Sequence, residues 1–180
     1  MKKVLIILLC FNLCLLSGCG EEKQPELSTV QNICQMASLE CYYHNVAKEE
    51  DIDTFLGLKD KKYWLEYTGT VKLGVDLDKV KMEVKGQKVI ITLPDIEIVS
   101  SNVDEKSLSL IDDKGIFAED TDVMNMVESA QKNMEEEAMR NEKVLLQAED
   151  RIKVMLQEYI DTISSVSKKA YTIEWKSLEG

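Results

Sequence analysis

The residue with the most chemistry to offer is Cys19. It closes the stretch Leu16-Ser17-Gly18-Cys19, an aliphatic residue followed by two small ones and a thiol. A peptidase that binds the chain extended in a narrow cleft requires small residues there, and a thiolate is the nucleophile that accepts a diacylglycerol. Ahead of it, Lys2 and Lys3 form a positive start, and Val4–Leu16 is an apolar run of thirteen residues interrupted only by Asn12. A membrane-spanning helix needs about 20 apolar residues, so this run has the length of a signal-peptide core. Cys10 and Cys14 each follow a leucine and compete poorly. The expected processing is cleavage between Gly18 and Cys19, with lipid on Cys19. At ~0.8 kcal/mol per buried methylene, two or three acyl chains hold a protein on a bilayer almost permanently. The expected location is therefore the extracytoplasmic face of the cell membrane, with the membrane itself as a partner through the N-terminal lipid.

Other reactive side chains are few beyond residue 19. His44 is the one histidine, set among aromatics in Leu39-Glu40-Cys41-Tyr42-Tyr43-His44. With one His and two cysteines, Cys34 and Cys41, the usual zinc ligand set cannot form. On one continuous helix those cysteines would lie ~10 Å apart, too far to bridge, whereas a turn near Ser38 would bring them closer. Two small, partly buried side chains are the preferred reading over a disulfide. Ser165-Val166-Ser167-Lys168 matches S-x-x-K, but the companion motifs of penicillin-recognising enzymes are missing and the match reads as chance. Asp112, Asp113, Glu119, Asp120 and Asp122 cluster in sequence, and Asp76 and Asp78 follow a long strand. None fits a calcium-loop spacing. Asp76 suits an Asx turn, and Asp120 and Asp122 suit a helix N-terminus. No cofactor and no metal are implied.

Charge narrows the partners further. Loss of residues 1–18 removes Lys2 and Lys3, so 20 basic residues face 33 acidic ones in the remaining 162, a net charge of −13. That balance argues against nucleic acid and against adhesion to anionic headgroups. Arg140 and Arg151 are the only arginines, which leaves little for bidentate phosphate recognition.

The elements that must position these residues follow from periodicity. Residues 19–29, the lipidated cysteine followed by a polar segment with Pro25, read as a flexible stalk, and residues 30–178 as a single domain. Glu26–Ala37 places Val30, Ile33 and Ala37 on one helical face, with Ser28 or Thr29 as cap. Leu39–Ala47 reads as a strand, and Lys48–Lys62 as a charged connection. From Tyr63, alternation puts Leu65, Tyr67, Val71, Leu73 and Val75 on one face and Trp64, Glu66, Thr68, Thr70 and Lys72 on the other. Gly69 and Gly74 suit bulges or bends in that strand. Val80–Val84 and Val89–Leu93 form a hairpin around Gly86, and Pro94 stops its second strand. Two short strands, Ile96–Ser100 and Ser107–Ile111, precede a turn-rich loop at Asp112–Glu119.

The helical period then takes over. A helix capped by Asp120 or Thr121 carries Val123, Val127, Ala130, Met134 and Ala138 on one face; a second run carries Leu145, Ala148, Ile152, Met155, Tyr159 and Ile163. Asn141, between them, can take the left-handed conformation that ends a helix, although one unbroken helix would keep roughly the same phase. Tyr171, Ile173 and Trp175 alternate in a closing strand that returns to the sheet. The fold class is α+β: a mostly antiparallel sheet, an N-terminal helix, one long or two consecutive C-terminal helices and a closing strand.

Three stretches, Leu39–Lys48, Glu66–Leu77 and Val89–Pro94, together with Tyr171-Thr172-Ile173-Glu174-Trp175, resemble the bacterial domain-of-unknown-function family 4230. The resemblance runs from about Thr29 to Lys176, and its most distinctive element is G-x-x-x-x-G-x-D-L at Gly69, Gly74, Asp76 and Leu77. It implies a fold and an envelope setting, and no activity.

Three classes of function follow. A non-catalytic interaction or scaffolding module of the envelope, bound to an envelope protein partner, leads. A binding protein for a small apolar or lipid-like ligand is second, and it would need a closed cavity lined by residues such as Met82, Met126, Met134 and Met155. An enzyme working with carboxylates alone is third, and it would need two acids in one cleft roughly 5–10 Å apart.

Overall fold

In a computed structural model, residues 23–47, 63–112 and 123–178 are described. The Leu16–Cys19 motif, the Lys48–Lys62 connection, and the caps expected at Asp120 or Thr121 lie outside them, as do Asp113, Glu119 and Asp122. Bulky apolar residues at every second position make strands, and the 3.6-residue stripes make helices, in the order the periodicity predicts. These elements are α1 (Leu27–Met36), β1 (Leu39–Ala47), β2 (Tyr63–Gly74), β3 (Lys81–Lys85), β4 (Lys88–Leu93), β5 (Glu97–Val103), β6 (Ser109–Asp112), α2 (Val123–Arg140), α3 (Glu142–Ser167) and β7 (Thr172–Ser177).

The strands divide into two sheets. The first is antiparallel and centred on β2, which pairs with β1 along one edge. Its other edge is shared: β6 takes Tyr63–Glu66 and β5 takes Gly69–Gly74. The gap at Thr68 is filled by a 3₁₀ turn, Glu105–Ser107. There Ser107 Oγ accepts from Thr68 N at 2.8 Å, and Asp104 N donates to Thr68 O at 2.9 Å. The second sheet is β3-β4-β7, with β3–β4 antiparallel and β4–β7 parallel. In the hairpin, Lys85 faces Lys88, and Gly86 (φ 65°) is the first of two loop residues. Type II′ hairpin turns require glycine at that position.

Each sheet has its own core. Leu65, Tyr67, Val71 and Leu73 of β2 pack with Ala130, Met134 and Ala138 of α2 and Ala148 of α3. Val89, Ile91 and Leu93 of β4 pack with Val30, Ile33 and Cys34 of α1 and Ile152, Leu156 and Ile160 of α3. The 26 residues of α3 span about 39 Å at 1.5 Å per residue, long enough to serve both cores. Ile96 touches both clusters and marks their seam.

Several local expectations change. The N-cap of α1 is Glu26, with no side-chain hydrogen bond, so Ser28 and Thr29 lie inside the helix rather than capping it. Pro25 is buried, and Glu26 N donates to Tyr159 Oη at 3.0 Å, so the chain is already docked within the segment read as stalk. The helix break does fall at Asn141, but with φ −87° it is not left-handed. Its side chain accepts from Val144 N at 3.3 Å, which makes it the N-cap of α3. The stripe on α3 centres on Ile152, Leu156 and Ile160, with Met155, Tyr159 and Ile163 only partly buried. The register shift in β2 lies between Lys72 and Leu73, not at Gly69.

A candidate binding groove at the seam of the two cores

Most of the residues singled out for chemistry prove to be spread over the fold. His44 lies on the open face of the first sheet, its Nε2 2.7 Å from Glu66 Oε1 and both side chains well exposed. Cys34 and Cys41 are free thiols, facing different cores. Burial pushes the Cys34 thiol up to about 11, well away from a reactive thiolate. Ser165 is exposed on the last turn of α3, Ser167 Oγ donates to Ile163 O at 2.7 Å, and Lys168 is the left-handed residue that ends the helix (φ 57°). Asp76 forms the expected Asx turn: it accepts from Asp78 N at 3.0 Å and pairs with Lys79 at 2.9 Å, which holds its carboxyl below the usual range. The four methionines do not meet in one cavity. Met126 and Met134 belong to the first core, whereas Met82 and Met155 flank the second.

A polar cluster does sit between β1, β2 and α2. Tyr67, fully buried, donates to Asn133 Oδ1 at 2.8 Å, and Asn45 Nδ2 donates to the Glu137 carboxylate. Burial raises the Tyr67 and Tyr43 hydroxyls, and the nearby Glu137 raises them further, whereas the Asn45 hydrogen bond pulls Tyr67 the other way. A hydroxyl held protonated this way serves as a donor rather than as a base. The cluster clasps α2 onto the sheet.

Residues converge instead at the seam. An open apolar hollow of about 460 Å³ is lined by Ile96, Met139, Leu145 and Leu146, with Asp95, Glu142 and Glu149 around it. Leu146 is 59% exposed and Met139 41%. A second hollow of about 150 Å³ adjoins it, sharing Asp95, Ile96 and Glu149 and continuing to Leu93, Pro94, Trp175 and Lys176. Each wall has a local cause. Pro94 cannot donate to a ladder, so β4 stops at Leu93 and the chain crosses the seam through Asp95 and Ile96. The α2–α3 break swings Met139 and Glu142 around Asn141, and β7, parallel to β4, brings in Trp175. Pro94, Ile96, Leu145 and Trp175 were legible in the sequence for other reasons, whereas Asp95 and Leu146 were missed. The one available signal was an apolar Leu146 off the buried stripe of its helix.

A family profile described as Protein of unknown function (DUF4230) matches residues 28–173. The chain belongs to that family. No curated protein and no solved structure matches it. The match to DUF4230 begins in α1 and ends in β7, so it takes in both cores and the seam. Residues of the Gly69–Leu77 stretch have visible work in this fold. Gly69 lets the Met134 side chain approach β2, where a Cβ would stand 2.9 Å from its sulfur. Leu77 O accepts from Gln31 Nε2 at 2.8 Å, tying α1 to the end of the long strand.

Proposed function

We propose that this protein is a lipid-anchored, extracytoplasmic lipoprotein that acts as a non-catalytic interaction module of the cell envelope. The anchor is Cys19, after cleavage behind Gly18, and residues 19–24 link it to a domain docked from Pro25 onward. The observation that carries the interaction role is the seam groove. It leaves large apolar side chains, Leu146 and Met139, in solvent beside carboxylates. Contiguous apolar surface with a polar rim marks a place where something docks. No helix among the described residues is long and apolar enough to cross a membrane. The net charge of −13 holds the domain off anionic headgroups beneath it.

The test is crosslinking in intact cells with a photoreactive residue at Leu146. One reproducible protein adduct, lost when Cys19→Ala removes lipid labelling and membrane retention, supports the reading. Normal lipid labelling of Cys19→Ala refutes the anchor. Adducts made only with lipid, or turnover that depends on a carboxylate pair, refute the module.

A further inference from the structure

The floor and rim of the seam groove differ in chemistry, and the difference selects an occupant. The floor, Ile96, Leu145 and Leu146 with Met139 at one end, is apolar. Asp95 stands on the β4–β5 connection and Glu142 in the first turn of α3, both exposed. Among the described residues, neither of these two carboxylates has a cationic partner, whereas Glu149 pairs with Lys153 at 2.5 Å. The two hollows adjoin through Asp95, Ile96 and Glu149, and the smaller one also has Lys153 and Lys176 in its wall, so the trough suited to a cation is the larger, from Met139 and Leu146 to Asp95.

We propose that this trough docks an amphipathic, cationic segment of a partner polypeptide, its apolar side chains on Ile96, Leu145 and Leu146 and its lysines or arginines at Asp95 and Glu142. The inference rests on the reading of the protein as a tethered interaction module and adds the chemistry of what it binds. The larger hollow is open to solvent rather than enclosed, so a chain can settle on it from outside. A compact ligand needs most of its surface enclosed. Anchors at helical spacing over an apolar floor are a common mode of helix-in-groove recognition. Positive charge at the rim would meet two unpaired carboxylates on a strongly acidic domain, which favours both encounter and register. An anionic lipid surface would meet the same carboxylates and be repelled.

The experiment uses the lipidated protein in non-ionic detergent and a short labelled helix-forming peptide of leucines and lysines, followed by fluorescence anisotropy. The wild type should bind it more tightly at low salt than at high salt. Asp95→Asn/Glu142→Gln should weaken binding roughly threefold to tenfold and flatten the salt dependence. Leu146→Ser should weaken it comparably at both salt concentrations. Glu158→Gln/Asp161→Asn, about 14 and 18 Å along α3 from Glu149 at 1.5 Å per residue, should leave affinity unchanged. All three variants alter exposed side chains, and unchanged urea midpoints confirm that they fold.

Equal binding of a peptide carrying glutamate in place of lysine overturns the proposal. So does an equal loss from the Glu158/Asp161 variant, which means bulk attraction only, or groove-dependent binding to phosphatidylglycerol vesicles. The two readings fail separately. A cellular adduct from position 146 that survives Asp95→Asn/Glu142→Gln overturns the groove chemistry but leaves the module. Loss of every protein adduct, with peptide binding intact, overturns the module.

Discussion

Gly69→Ala tests how closely β2, β5 and α2 approach one another. A Cβ on residue 69 would stand 2.6 Å from the Asn102 carbonyl oxygen, 2.9 Å from Met134 Sδ and 3.1 Å from Met134 Cε. The first obstacle is backbone in a paired strand, since Gly69 faces Val103 in the β2–β5 register. The second belongs to a fully buried side chain with no solvent to turn into. Overpacking of this kind costs about 2–3 kcal/mol, offset by the roughly 0.5–1 kcal/mol that alanine gains over glycine in a strand. The expected net loss is about 2 kcal/mol. In urea, with a slope of about 2 kcal/mol/M, the midpoint falls by about 1 M at unchanged slope. Gly74→Ala is the internal control. There the close neighbour is Val99 Cγ2 at 2.8 Å, the tip of a side chain that is 53% exposed and can turn away. Although Gly74 is buried, the cost of the substitution should stay below about 0.5 kcal/mol, because the side-chain tip can yield and alanine recovers part of the cost over glycine in a strand. If Gly69→Ala unfolds within that margin of the wild type, or if Gly74→Ala costs more, close approach is not what glycine provides at position 69.

Three further outcomes follow from single contacts. Asn141→Ala should destabilise α3 by about 1 kcal/mol and Asn141→Gly by only a few tenths; a gain with glycine in thermal unfolding would restore the left-handed reading. Tyr67→Phe removes the hydroxyl bonded to Asn133 and should cost about 1 kcal/mol by urea midpoint, with no effect meaning that the clasp on α2 is idle. For Cys34, burial raises the folded thiol from the ordinary 9.0 to about 11, so the neutral form favours folding. That contribution is whole below pH 9 and is lost as the pH climbs toward 11. Urea midpoints should fall across that window less steeply in Cys34→Ala, and an unchanged slope would refute the linkage.

Local pattern was enough to place most elements. The two-period alternation of β2, glycine in the Lys85–Lys88 turn, proline after Leu93 and the break at Asn141 are all properties of a few neighbouring residues, and each had only local competitors. The α+β class and the family, whose profile matches residues 28–173, were legible in the same way. What Asn141 does at the break was not. Asparagine serves either end of a helix, and only the following turn, with Val144 N within reach, decides between them.

The attachment proposed at Cys19 rests on the chain alone, because Leu16–Cys19 and the apolar run before it are read in extended form, with no fold needed. Tertiary structure decided everything that depends on distant partners. The seven strands among the described residues could join in one sheet or two, and the pairing of β7 with β4 across two helices is carried by neither strand by itself. The buried stripe of α3 moved to Leu156 and Ile160 because a long helix must turn its face toward two cores in succession. The groove exists only where those cores meet. Leu146 and Asp95 lie 51 positions apart in sequence, and nothing but the packing of α3 across Ile96 brings an apolar floor and its carboxylates together.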